Sequence, residues 1–107
     1  MSTMLSIYPK EDNPALLAID EEEKVVYVDG KPCALTQQEF SLLQELAQNI
    51  DRAMSREELL RDAWGYASPG DTRTVDVHVQ RLRKKLGFSC IETVYRHGYK
   101  LRAQEVY

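Results

Sequence analysis

The most regular hydrophobic pattern of the chain lies in its last third. At about 100° per residue, Val75, Val79, Leu82 and Leu86 fall within one narrow stripe. The opposite side of the same wheel collects Arg73, Val77, Gln80, Arg81 and Lys84, with Arg83 and Lys85 on the flanks. The spacing predicts an amphipathic helix over about 72–86, ended by Gly87, a residue that accepts the left-handed conformation common after helices. Two further helices are marked by their starts. Thr36 with Glu39, and Ser55 with Glu58, have the pattern of a capping box, in which side chain and backbone at a helix start satisfy one another. Leu35 and Phe40 flank the first box as a hydrophobic staple, and Met54 and Leu59 flank the second. The first helix is expected over about 36–48, with Phe40, Leu43 and Ala47 recurring at helical spacing. The second is expected over about 55–64, includes Leu60 and Ala63, and stops at Trp64-Gly65.

Strand patterns surround the helices. Leu5-Ser6-Ile7 is a short one, and the apolar run from Ala15 to Ile19 breaks at the acidic cluster Asp20-Glu21-Glu22-Glu23. Lys24 to Val28 is β-branched and aromatic, and Asp29-Gly30 then suits a two-residue hairpin turn. Lys31 to Leu35 is the returning strand, with Pro32 pointing to an edge or a strand start. After the third helix, Ile91 to Val94 and Tyr99 to Leu101 alternate around Tyr95-Arg96-His97-Gly98 as a terminal hairpin. Tyr66 to Asp71, with Pro69-Gly70, reads as a loop. The expected fold is one α+β domain over 1–107. An antiparallel sheet lies within 1–35, three helices follow, and a β-hairpin wing spans about 91–102, the winged variant of the helix-turn-helix plan.

Composition changes this picture only through charge. The formal net charge of −3 argues against a simple binder of polyanions. Its distribution argues the other way. Residues 1–71 carry 6 Lys/Arg against 14 Asp/Glu, whereas residues 72–107 carry 8 against 3. The basic excess therefore coincides with the amphipathic helix and the hairpin, as a polyanion-facing end on an acidic body would require. A solvated surface is the plainer account of any such charge run taken alone. No apolar run reaches the length of a membrane span, and Met1 to Leu5 lack the features of a secretory signal, so a cytoplasmic location is expected. Cys33 and Cys90 have no metal-ligand spacing and are expected as reduced thiols rather than a disulfide.

The chemistry of an enzyme is missing. There is no glycine-rich phosphate loop and no Ser/His/Asp or Cys/His pattern, so no catalytic activity, cofactor or metal is expected. The third helix suits duplex DNA instead. A major groove admits one α-helix, which needs an apolar side for anchorage and a basic, polar side for base edges. Arginine reads guanine best because its planar fork donates to both O6 and N7.

The segments Leu35 to Phe40, Ser55 to Leu60, Trp64-Gly65, Thr72 to Val79 and Arg81 to Leu86, in this order and spacing, resemble the OmpR/PhoB-type winged-helix effector domain of bacterial response regulators. The likeness covers nearly the whole chain, from about Leu5 to Leu101. It implies a four-stranded N-terminal sheet, a third helix in the major groove of double-stranded DNA, and a wing in the neighbouring minor groove. It also implies direct-repeat sites, head-to-tail pairing on DNA and a phosphorylatable receiver domain in the full regulator. The loop between helices two and three, where such regulators touch RNA polymerase, brings Tyr66, Ser68 and Pro69 forward.

Carried over residue by residue, the resemblance makes Arg81 the leading base-edge candidate, with Gln80, Val77 and Lys84 beside it. Arg73, Thr74, His78 and Arg83 become phosphate candidates. The family's wing reads Thr-Val-Arg-Gly-x-Gly-Tyr, whereas this chain has Thr93-Val94 followed by Tyr95-Arg96-His97-Gly98-Tyr99. Arg96, with His97, is expected to supply the wing's charge from a shifted position, under strain if the site needs a positive φ. Alternatives stay open at several residues. His78 suits packing as well as a phosphate, Trp64 suits the core or a partner, and Asp76 suits the helix start. The acidic turn at Asp20 to Glu23 suits solubility, repulsion of DNA from the wrong face, or contact with a partner's basic patch. A winged-helix protein-interaction module is the alternative function for the whole chain.

Overall fold

The computed structural model describes residues 4–9, 16–65, 71–87 and 90–105. Strands β1 (Met4–Pro9), β2 (Leu17–Asp20), β3 (Val25–Val28) and β4 (Lys31–Cys33) form an antiparallel meander. Side chains along β2 alternate inward and outward, so Leu17 and Ile19 are fully buried while Ala18 and Asp20 are not. Two turns build the meander. Asp20 Oδ1 accepts from the backbone N–H groups of Glu22 and Glu23 at 3.1 and 3.0 Å, and Lys24 closes that turn with φ +58°. Lys24 is thereby taken from the strand that begins at Val25. Asp29 and Gly30 both have positive φ, +50° and +81°, the backbone of a two-residue turn that matches strand twist. Pro32 lies on β4, the outer strand, where its missing N–H breaks no ladder.

The three helices are α1 (Gln37–Ala47), α2 (Arg56–Trp64) and α3 (Arg73–Leu86). Both capping boxes form in full: Thr36 Oγ1 accepts from Glu39 N–H, and Ser55 Oγ from Glu58 N–H. Gly65 and Gly87 end α2 and α3 in the left-handed conformation. The start of α3 has no side-chain cap from Thr72; instead Asp71 Oδ1 accepts the Arg73 N–H at 3.0 Å. The stripe Val75, Val79, Leu82 and Leu86 is buried throughout. It packs with Phe40, Leu42, Leu43 and Leu46 of α1, Leu59 and Leu60 of α2, and the inward residues of the sheet in one core. Among the described residues no helix is long and apolar enough to cross a membrane. Cys33 is half-buried and Cys90 is buried, and the two are not bonded to one another.

Two strands lie outside the sequence expectation. After the hairpin of β6 (Ile91–Val94) and β7 (Gly98–Leu101), the chain runs on into β8 (Ala103–Glu105). This strand pairs with β1 and makes the N-terminal sheet five-stranded, in the order β4-β3-β2-β1-β8. The two-residue strand β5 (Met54–Ser55) pairs with β7 and so joins the wing to the start of α2. That pairing explains Gly98: a Cβ there would stand 2.0 Å from the Met54 carbonyl oxygen. The one glycine of the wing is thus fixed by backbone approach. Its φ is not positive.

Candidate nucleic-acid interface

Because the apolar stripe of α3 is turned into the core, its polar face is turned out. Val77, Gln80, Arg81 and Lys84 are all exposed. Val77 is 47% exposed, which is unusual for a large aliphatic residue in a well-packed helix, and it lies among the three polar candidates. Arg73 is exposed one turn earlier and pairs with Asp71 at 2.8 Å. The hydrogen bond from Arg73 lowers the Asp71 pKa, and the same bond raises that of Arg73. A pair so open to solvent is weak and exchangeable. Thr74 is half-buried, and its carbonyl accepts from His78.

Two of the phosphate candidates turn inward. His78 is 6% exposed. Its Nδ1–H donates to Thr74 O at 2.8 Å, Nε2 lies 3.2 Å from the Gln38 side-chain amide, and its ring meets the edge of Trp64 at 4.9 Å. Both ring nitrogens are engaged within the protein. Trp64 is half-buried against the core, its indole N–H donating to Gln38 O at 2.9 Å. Arg83 is directed sideways. Its Nε and Nη2 donate to Ile91 O at 3.1 and 2.6 Å, and Nη2 also donates to Thr93 Oγ1 at 2.9 Å. It fastens the helix to the wing. Lys85 likewise reaches back to Glu39 Oε1 at 2.6 Å.

The wing tip bears out the strain that the sequence suggested. Val94 O accepts from His97 N–H across a tight turn, and Arg96 sits in that turn with φ +57°. A non-glycine residue pays about 1 kcal/mol there. Arg96 and His97 are both exposed. Tyr95, which the sequence reading left without a role, is 81% exposed, with the Arg96 guanidinium 5.2 Å from its ring centre. This contact orients the arginine beside an aromatic face.

A polar network that sequence spacing could not reveal links α2, α3 and β7. Asp76 Oδ1 accepts from Arg56 Nε at 2.8 Å and from the Tyr99 hydroxyl. Burial, then the hydrogen bond to Asp76, raises the Tyr99 pKa. The Asp76 hydrogen bond raises that of Arg56. Residues 56, 76 and 99 are far apart in the chain, so only the fold brings them together. Tyr66, Ser68 and Pro69 lie outside the described residues.

Comparison with known proteins fits this geometry. Residues 30–101 match the family described as transcriptional regulatory protein, C terminal. The transcriptional regulatory protein CseB of Streptomyces avermitilis is 49% identical over 87 residues, which is 81% of this chain and 37% of that protein. VxrB of Vibrio cholerae is 46% identical over 87 residues, covering 81% of this chain and 36% of that one. The chain thus spans less than two-fifths of the length of these relatives. Among solved structures, the Klebsiella pneumoniae RstA DNA-binding domain in complex with the RstA box superimposes with TM-score 0.73. It is 36% identical, and the match covers 80% of this chain and 90% of that one.

Proposed function

This chain belongs to the OmpR/PhoB-type family of response-regulator DNA-binding domains, and we propose that it reads a specific duplex sequence as the output domain of a two-component regulator. The observation that carries the reading is the division of α3. One stripe is anchored in the core, and the opposite face leaves Val77, Gln80, Arg81 and Lys84 exposed, with no hydrogen bond or ion pair from their side chains to the other described residues. That face enters the major groove. Arg81 donates to guanine O6 and N7, while Gln80, Val77 and Lys84 contact neighbouring base edges. Arg73 exchanges its exposed Asp71 partner for a phosphate, and Thr74 contacts the backbone beside it. Arg96, with His97, enters the adjacent minor groove. His78 and Arg83 act from within, by holding the helix.

The longer relatives support a wider proposal. In the full protein a receiver domain precedes this one, and phosphorylation drives head-to-tail pairs onto direct repeats in the cytoplasm. The 66–71 loop then meets RNA polymerase through Tyr66, Ser68 and Pro69. A footprint of wild type against Arg81→Ala tests the central assignment. The variant should lose sequence preference, by about 1–3 kcal/mol per guanine contact, and keep non-specific binding. Unchanged specificity would move base reading away from Arg81.

A further inference from the structure

The reading helix and the wing are separate elements, yet they must meet two grooves of one duplex together. Their relative angle is therefore a quantity the fold has to set. Two clamps set it. The first is Asp76, in the first turn of α3, whose Oδ1 holds both Arg56 of α2 and the Tyr99 hydroxyl of β7. The second is Arg83, whose fork holds Ile91 O and Thr93 Oγ1 of β6. Seven residues separate the clamps along α3, roughly 10 Å of helix. Each clamp takes a different strand of the wing. The β5–β7 ladder and the buried Ile91, Tyr99 and Leu101 seat the hairpin on the body, and the two clamps tie its two strands to α3 at separate points. The Tyr99 ring links them, with the guanidinium carbons of Arg56 and Arg83 at 5.2 and 5.6 Å from its centre.

The Arg56–Asp76 pair is only half-buried on both sides, so its net effect on stability is modest. Its geometric effect is larger, because one carboxylate oxygen of α3 gathers groups from two other elements. We infer that Asp76 is a positioning residue for DNA reading: by holding Arg56 and Tyr99 it fixes the wing against α3, so that both are presented to the duplex as one rigid surface. The inference rests on the proposal that α3 and the wing both touch DNA.

Asp76→Asn, Asp76→Glu and Tyr99→Phe test it, alone and combined with Arg96→Ala, on the specific duplex. Backbone amide residual dipolar couplings of the free protein report the angle between wing and α3. Asp76→Asn and Arg96→Ala should each weaken specific binding about five-fold. The double variant should be no weaker than the worse single one, since a misaligned wing has already lost its arginine contact. The couplings should show β6 and β7 reoriented with α3 and the five-stranded sheet unchanged. Asp76→Glu, which keeps the charge, should recover most of the affinity. Should Asp76→Asn fail to fold, Tyr99→Phe keeps the buried ring and serves the same comparison. Losses that multiply, or couplings equal to wild type, would overturn the inference. Wild-type binding by Arg96→Ala would instead remove Arg96 from the DNA interface and leave the couplings to decide the role of Asp76.

Discussion

Arg96 joins two demands that oppose one another. A positive φ favours glycine, and the minor-groove contact proposed for the wing favours a cation. The chain keeps the cation, stacks it against Tyr95, and accepts the strain. Arg96→Gly should therefore raise stability by about 1 kcal/mol while weakening duplex binding. Thermal melts and an affinity titration of the same variant check both signs. A variant that is more stable and binds unchanged DNA equally well would show that the residue has no contact role. The neighbouring candidates divide by burial, which the wheel reports only coarsely. His78 lies one residue from Val79 and three from Val75, close enough to the stripe to be drawn under Trp64. Arg83 lies one residue from Leu82 and points along the seam between helix and wing.

At the element scale, the start of α1 does more than begin a helix. Glu39 is 1% exposed, and its Oε1 accepts from both Thr36 N–H and Lys85 Nζ. Burial alone would raise its pKa; the Lys85 ammonium and the Thr36 backbone N–H outweigh that and hold it below the ordinary glutamate value. A depressed folded pKa contributes stability above the unfolded value of about 4.3, and that contribution is lost as pH falls through the lower folded value. Glu39→Gln should thus melt lower than wild type at neutral pH, by about 1 kcal/mol or more, and converge with it on acidification. Parallel melting curves across that range would contradict this role. Such a link between α1 and the end of α3 was not legible in the sequence, where Glu39 reads only as a capping residue. The helices themselves were legible because caps, staples and 3.6-residue periodicity are local signals. β5 and β8 were not. A two-residue strand has no periodicity, and β8 is defined by its distant partner β1. On α3, spacing was enough to find the exposed face. It could not say that Arg83 and Lys85 turn away from that face to fasten the wing and α1.

The whole molecule is electrically lopsided. An acidic body carries a basic end made of α3 and the wing, so the net charge of −3 conceals a strong local field. Such an uneven distribution of charge orients approach to a polyanion. Arg73, Arg81, Lys84 and Arg96 are the exposed cations on that end with proposed DNA contacts. The most direct test is the affinity for a specific duplex measured between about 50 and 200 mM salt. Whether on a phosphate or in a groove, these four cations bring about four positive charges against the duplex, so the log–log slope should be about −3 to −4, at about −0.9 per neutralised phosphate. A flat response, or no retention of duplex at the low-salt end, would contradict DNA reading by this face and favour a protein-interaction module.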